Sequence, residues 1–253
     1  MSVTLNQSDW NELCEQAEIT NFAGHTDEFE TLSGVPAALG RGYARNVDLA
    51  PGIELGFSEN QYHQDFRRSV SDHDHLIQIC IFATGQMDCN IHPVLGGTHG
   101  YFSGSGISPG YVETFRTGQQ ISCVNIEIQP EVLESIFLTE QQRHKEPIQQ
   151  LFKQKDWKTS FYPKVTPQMK LLAHQMWHAP YRGPAKQLYL QAKVFELLAL
   201  HLNLLSGDSQ SPASSLRPDT LERIHYAQEI LIAQLENPPS LLELAQRVGV
   251  SDR

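Results

Sequence analysis

The stretch "IHYAQEILIAQLENPPSLLELAQRVGVS", residues 224–251, decides how the rest of the chain is read. Ile224, Ala227, Ile230, Leu231 and Leu235 recur at helical spacing, and Asn237-Pro238-Pro239 stops that helix. Ser240, with Glu243 three residues on, forms a capping box ahead of Leu241, Leu244, Ala245 and Val248. Gly249 stands where a left-handed residue ends a helix, and Ser251 is a fresh N-cap. Helix, tight glycine turn and new helix make the pattern of a helix-turn-helix, whose second helix enters the major groove of DNA. The sequence reaches Arg253 just as that second helix begins.

Upstream, "SGDSQSPASSLRPD" (206–219) is polar, rich in Ser and Pro, and reads as a linker. Before it lie two amphipathic helices. The first has Thr166 as N-cap, Pro167 at the first helical position and a stripe of Met169, Leu172, Ala173, Met176 and Trp177. The second runs from Pro184 to about Leu205 with a stripe of Leu188, Ala192, Phe195, Ala199 and Leu202. Leu190, Val194, Leu197, Leu198, Leu204 and Leu205 widen its apolar face beyond one contact surface. Burial on two sides or a dimer interface explains that width. Two shorter helices are expected in "QPEVLESIF" (129–137) and "EPIQQLFK" (146–153), and another after Ser8.

From about Phe22 to Gln129 the texture changes to short alternating runs with glycine turns, as in "GIELGF", "HLIQICIFATG", "YVETF" and "ISCVNIEIQ". That texture points to a sandwich or barrel. In the last run Val124, Ile126 and Ile128 share one face, while Cys123, Asn125 and Glu127 share the other.

The formal net charge is −10, and even the tail from Leu216 holds four Lys/Arg against six Asp/Glu. DNA affinity rests on cations that neutralise phosphates, so this chain alone is expected not to bind DNA. No run of about 18 apolar residues and no basic, apolar leader begins the chain, which reads as cytoplasmic. Four cysteines, Cys14, Cys80, Cys89 and Cys123, form no C-x-x-C pair, and Cys80 and Cys123 read as small buried hydrophobes.

The tail closely resembles the opening of the DNA-binding domain of AraC/XylS-family transcription regulators. Ile224, Ala227, Ile230-Leu231, Pro239-Ser240-Leu241, Glu243-Leu244-Ala245 and Val248-Gly249-Val250-Ser251 carry the match, over about the last thirty-five residues. "YPKVTPQMKLLAHQMWHAPYRGPAKQLYLQAKVFELLALHL" (162–202) and "LENPPSLLELA" (235–245) are similar to the branch related to the pyochelin regulator.

The resemblance implies an α+β chain in four parts. Residues 1–129 would be a cupin-like β-barrel that binds a small-molecule effector, and 130–205 a helical hairpin that dimerises through 166–205. Residues 206–219 would be the linker, and 220–253 a helix-turn-helix cut off within its first unit. It also implies a ferric siderophore as one candidate effector, and DNA binding only by the full-length protein. Ser240, Gly249, Ser251 and Arg253 belong to that partial DNA-binding motif.

Candidate effector contacts are Arg41, Tyr43 and Arg45 in "LGRGYARNV", then His73, His75 and Gln78, then Tyr101 and Tyr111, as cations and aromatics suit an anionic iron chelate. A metal enzyme built on His73-x-His75 is the alternative, because alternate strand residues point two imidazoles the same way. No glutamate follows that pair, and Glu113 stands where a second cupin motif would supply histidine, so no metal or cofactor is expected. "HQMWH" (174–178) has Gln175 where a metalloprotease needs its glutamate, and "LGGTHGYFSGSG" (95–106) lacks the lysine of a phosphate loop. A protein-interaction module acting through the hairpin is the remaining reading.

Overall fold

Strand β13 (Gln120–Ile128) sits inside a seven-stranded sheet, and its alternation defines both faces. It pairs antiparallel with β4 (Ile53–Tyr62) and β7 (Ile77–Thr84). Beyond β4 lie β3 (Gly40–Ala50) and β2 (Glu30–Gly34), and beyond β7 lie β10 (Tyr101–Ser103) and β15 (Ser160–Phe161). The register aligns Phe57, Val124 and Ile81, then Leu55, Ile126 and Ile79, then Ile53, Ile128 and Ile77. All nine side chains are buried on one face. The structure, a computed structural model, describes residues 3–136, 148–205, 226–227, 230–231, 234 and 238–249.

Helix α3 (Pro167–Trp177) and helix α4 (Gly183–Leu205) pack against each other and on that apolar face. Helix α1 (Gln7–Glu15) and helix α2 (Pro130–Ile136) precede them. Thr166 caps α3 by accepting from the Met169 amide, and the expected stripe of Met169, Leu172, Ala173 and Met176 is buried. In α4 the expectation is inverted. Leu190, Val194, Leu197 and Leu198 enter the core, whereas Leu188 is 68% and Phe195 38% exposed, with Ala192 and Ala199 beside them. The helix is apolar on two sides, so periodicity alone could not say which stripe meets the sheet. By length and composition α4 could also cross a membrane, yet its Leu190 face lies in the core.

The opposite face of the large sheet meets a five-stranded sheet, ordered β1 (Val3–Asn6), β5 (Phe66–Val70), β12 (Tyr111–Phe115), β8 (Gln86–Cys89) and β9 (Leu95–Gly96). A third sheet joins β14 (Phe152–Trp157), β11 (Ser105–Ser108) and β6 (His73–His75). The resemblance implies a closed cupin-like barrel. No sheet closes among the described residues, and the strands form stacked open sheets instead. The chain leaves the large sheet at Gly85, whose φ of 77° turns β7 into β8, where a Cβ would lie 2.0 Å from the Gln120 carbonyl oxygen. A second apolar cluster, with Trp10, Tyr62, Phe66, Phe82, Leu95, Phe115 and Ile121, fills one end of the space between the sheets.

Two further sequence expectations change. Helix α1 begins before Ser8, not after it: Asn6 caps the helix, because its side chain accepts from the Asp9 amide. The described part of the expected second helix, from Ile148, is a 3-10 turn, Ile148–Leu151, followed by β14. The described chain divides into two compact units, Met1–Gly207 and Asp208–Arg253. In the second unit, helix α5 (Leu241–Arg247) carries the complete Ser240/Glu243 capping box, and Gly249 has the left-handed φ of 70°. The linker 206–219, Ser251 and Arg253 lie outside the described residues.

A buried ion cluster fastens α4 to the edge of the large sheet. Lys186 Nζ lies 3.0 Å from Asp27 Oδ2 and 2.8 Å from Glu30 Oε1, and the Gly183 amide donates to Asp27 at 2.8 Å. Lys186 holds the Asp27 carboxyl below its ordinary range. Gln187 and Gln191 both donate to the Leu49 carbonyl. Removing one partner of a buried pair leaves the other charge without compensation, at a cost of about 3–5 kcal/mol. Lys186→Ala is therefore expected to lower the urea unfolding free energy by about 3 kcal/mol. Lys193→Ala, which breaks the more exposed pair with Glu196, is expected to change it by about 0–1 kcal/mol.

Candidate ligand-binding cavity

A cavity of about 1630 Å³ lies between the seven-stranded and five-stranded sheets. That exceeds what a drug-sized ligand needs, leaving room for ligand and water together. The cavity wall follows from strand alternation. With Val124, Ile126 and Ile128 turned to the helices, Cys123, Asn125 and Glu127 must face the other way, and they line the cavity. Ser58 and Asn60 from β4 and Gln78 and Cys80 from β7 join them by the same rule. Helix α1 contributes Trp10 and Cys14 to the wall.

The polar wall is internally bonded. Gln78 Nε2 donates to Asn125 Oδ1 at 2.9 Å, and Asn125 Nδ2 donates to Glu127 Oε1 at 2.9 Å. Facing it, Arg68 Nε donates to Glu113 Oε2 at 2.6 Å, and the guanidinium lies 5.7 Å from the Trp10 ring centre and 5.9 Å from that of Phe115. Glu113 is buried, and Arg68 keeps part of its side chain open to the cavity.

A second cation stands among aromatic rings. Lys158 Nζ donates to the Tyr101 hydroxyl at 2.7 Å and sits 5.2 Å from that ring's centre. His92 packs 5.1 Å from Tyr101 and 6.3 Å from Tyr111, and its Nδ1 is 2.8 Å from the Tyr162 hydroxyl. His73 and His75 lie 5.6 Å apart, ring centre to ring centre. Burial lowers Lys158 to about 8. Burial and then the charge of Lys158 lower His75 and His92 to about 4. Burial, then the Glu113 charge, raises the Tyr111 hydroxyl. At neutral pH the cavity therefore presents neutral His75 and His92 and neutral tyrosines beside two cations, Lys158 and Arg68, the latter paired with Glu113.

The sequence candidates divide. His73, His75, Gln78, Tyr101 and Tyr111 are on the cavity wall. Arg41, Tyr43 and Arg45 are not, because odd-numbered positions of β3 share the face of buried Val47 and Leu49. Arg41 bonds to Gln61 at the surface, and Tyr43 is buried away from the cavity. Arg45 lies 4.2 Å over the Phe57 ring and reaches Glu30, a place in the core beneath α3 and α4. Even-numbered Ala44 and Asn46 reach the cavity instead.

Sequence reading missed Arg68, His92 and Lys158. No motif marks them, and Lys158 arrives only because β14 pairs parallel with β11 and its own amide donates to the Ile107 carbonyl at 3.0 Å. Cys80 and Cys123 are half-buried wall residues, and Ser58 Oγ lies 3.1 Å from Cys123 Sγ. Among the described residues no three His, Cys, Asp or Glu side chains are placed to hold one metal ion. His73 and His75 direct their Nδ1 atoms to the carbonyls of Ser71 and Leu76.

The family model described as "Regulatory protein PchR N-terminal domain" matches residues 39–218. The chain belongs to that family. Regulatory protein PchR of Pseudomonas aeruginosa is 41% identical over 87 residues, which are 34% of this chain and 29% of that protein. The aligned part thus spans less than a third of the relative's length. The family match, over residues 39–218, supports a regulatory protein of that kind. It takes in the strand walls from β3 onward with Arg68, His92 and Lys158, and leaves out α1.

Solved structures give weaker likenesses. ToxT from Vibrio cholerae is 7% identical with a TM-score of 0.39, covering 79% of this chain and 72% of that one. ToxT with bound unsaturated fatty acid is 10% identical at 0.40, covering 81% and 76%. A variant of Bacillus subtilis oxalate decarboxylase is 12% identical at 0.26, covering 64% and 47%. At these TM-scores the likenesses carry no functional information.

The buried histidines make a pH prediction. Burial also lowers His201 to about 4. Between pH 6.5 and about 4 the unfolded chain binds protons at His75, His92 and His201 that the folded chain does not, so stability falls as pH falls through that window. The thermal midpoint is expected to drop between pH 7 and pH 5, and His92→Gln to drop less steeply in the same scan.

Proposed function

We propose that this chain is the effector-sensing part of a DNA-binding transcription regulator, and that its effector occupies the cavity between the two sheets. The carrying observation is the pairing of two cations, Arg68 and Lys158, with tyrosines and neutral histidines on the wall of one large cavity. Cations among aromatic faces suit an anionic aromatic ligand through charge, hydrogen bonding and stacking. A ferric siderophore with phenolate or catecholate donors is such a ligand, because these donors are flat aromatic rings and give the chelate negative charge. His73, His75, Gln78, Tyr101 and Tyr111 would contact it together with Arg68, His92 and Lys158.

A ligand shifts a regulator only if it binds two arrangements with different affinity. Wall residues of β4, β7 and β13 share their strands with the residues that pack α3 and α4, which gives an occupied cavity a direct route to the hairpin. The exposed stripe of Leu188, Ala192, Phe195 and Ala199 fits a homodimer through residues 166–205. DNA reading would fall to the regulator's DNA-binding domain rather than to this acidic chain by itself, since the net charge here is −10 and affinity for phosphates rests on cations.

A panel of ferric siderophores tested by thermal shift checks the effector reading, because a ligand held by the folded state raises its midpoint. At least one ferric chelate is expected to raise it. Lys158→Met should then weaken binding roughly tenfold or more by removing a charged hydrogen bond, while Arg41→Ala leaves it unchanged. No stabilising chelate, or an unaffected Lys158→Met protein, contradicts the reading. For the dimer, Phe195→Glu is expected to halve the mass measured by light scattering.

A further inference from the structure

Cys80 and Cys123 have a relation that the effector reading does not use. Cys80 on β7 faces Asn125 across the strand pair, and Cys123 on β13 faces Phe82, so the two thiols are diagonal neighbours on one sheet face. Both open on the cavity. The proximity of Cys123, and then burial, raises the Cys80 thiol. Cys80 and Ser58 in turn lower the Cys123 thiol against its burial. Diagonal positions lie about 7–8 Å apart between Cα atoms, longer than a disulfide spans without backbone movement. One interposed atom with two sulfur bonds closes that gap.

We infer that Cys80 and Cys123 form a dithiol site for a soft, thiophilic acceptor, either a trivalent arsenical or a two-coordinate soft cation such as Cu(I). Paired thiolates favour soft acceptors over hard cations. A cation takes the place of both thiol protons, which pass to solvent. With phenylarsine oxide two S–H bonds break, two As–S bonds form, and the arsenic-bound oxygen leaves as water with both protons. Ser58 Oγ, 3.1 Å from Cys123 Sγ, stays at the site as a hydrogen-bonding neighbour. Cys14 also reaches the cavity from α1, and Cys89 does not. The inference rests on the two thiols and stands apart from the effector reading.

The test uses the reduced, full 253-residue chain with Cys14→Ser and Cys89→Ser, titrated with phenylarsine oxide and, separately, with buffered Cu(I). Intact mass is expected to show one acceptor per chain, a free-thiol count should fall from two to zero, and protease mapping of the native adduct should place it on the peptides of Cys80 and Cys123. Cys80→Ser and Cys123→Ala should each abolish binding while keeping a cooperative thermal transition. The mapping, made on protein with both thiols, decides the matter even if a single-thiol variant fails to fold. Neither probe binding, or an adduct retained after loss of one thiol, overturns the inference. So does loss of both thiols without added mass, since that product is a disulfide.

Discussion

Everything in the first unit depends on one constraint, the period-two alternation of the strands around β13. A strand buried on both sides must decide what each face meets. Here one face carries mainly branched and aromatic side chains and meets α3 and α4, while the other carries amide, carboxylate, hydroxyl and thiol groups and meets a second sheet across open space. A polar face that stays half-buried needs partners. Gln78, Asn125 and Glu127 supply them for one another, and Arg68 and Glu113 do the same on the facing sheet. The cavity is thus the consequence of a sheet with one apolar and one polar side, covered on both.

The same constraint separates structural charges from those available to a ligand. Arg45 and Arg68 are both arginines largely hidden from solvent, paired with glutamates and set near aromatic rings. Arg45 points to the helix side, where its work is to hold β2, β3 and α4 together with Lys186. Arg68 points to the cavity. Their different roles follow from which sheet face they occupy.

Much of the architecture was legible in the chain. The cap at Thr166, the α3 stripe, the capping box at Ser240 and the left-handed Gly249 are local rules that tertiary packing left intact. The alternation of 123–128 was legible too, but its meaning was not: a polar face reads as solvent-facing until a second sheet is known to cover it. Arg41, Tyr43 and Arg45 were misplaced because a strand's phase depends on what each side packs against. The α4 stripe failed for a related reason, since a helix apolar on two sides offers periodicity no way to choose. Lys158 and His92 come from irregular stretches whose position only the strand pairing sets.

The central claim is that ligand enters the space between the two sheets. Trp10 stacks on Phe66 at 5.4 Å and lines that space, whereas Trp157 and Trp177 do not. The most direct measurement is the emission of Trp10 in a Trp157→Phe, Trp177→Phe protein during titration with a ligand known to stabilise it. A saturable change in Trp10 emission, with the same midpoint as the binding isotherm, is the predicted result. Saturable binding that leaves Trp10 emission unchanged would contradict the account, because the ligand would then lie outside the cavity.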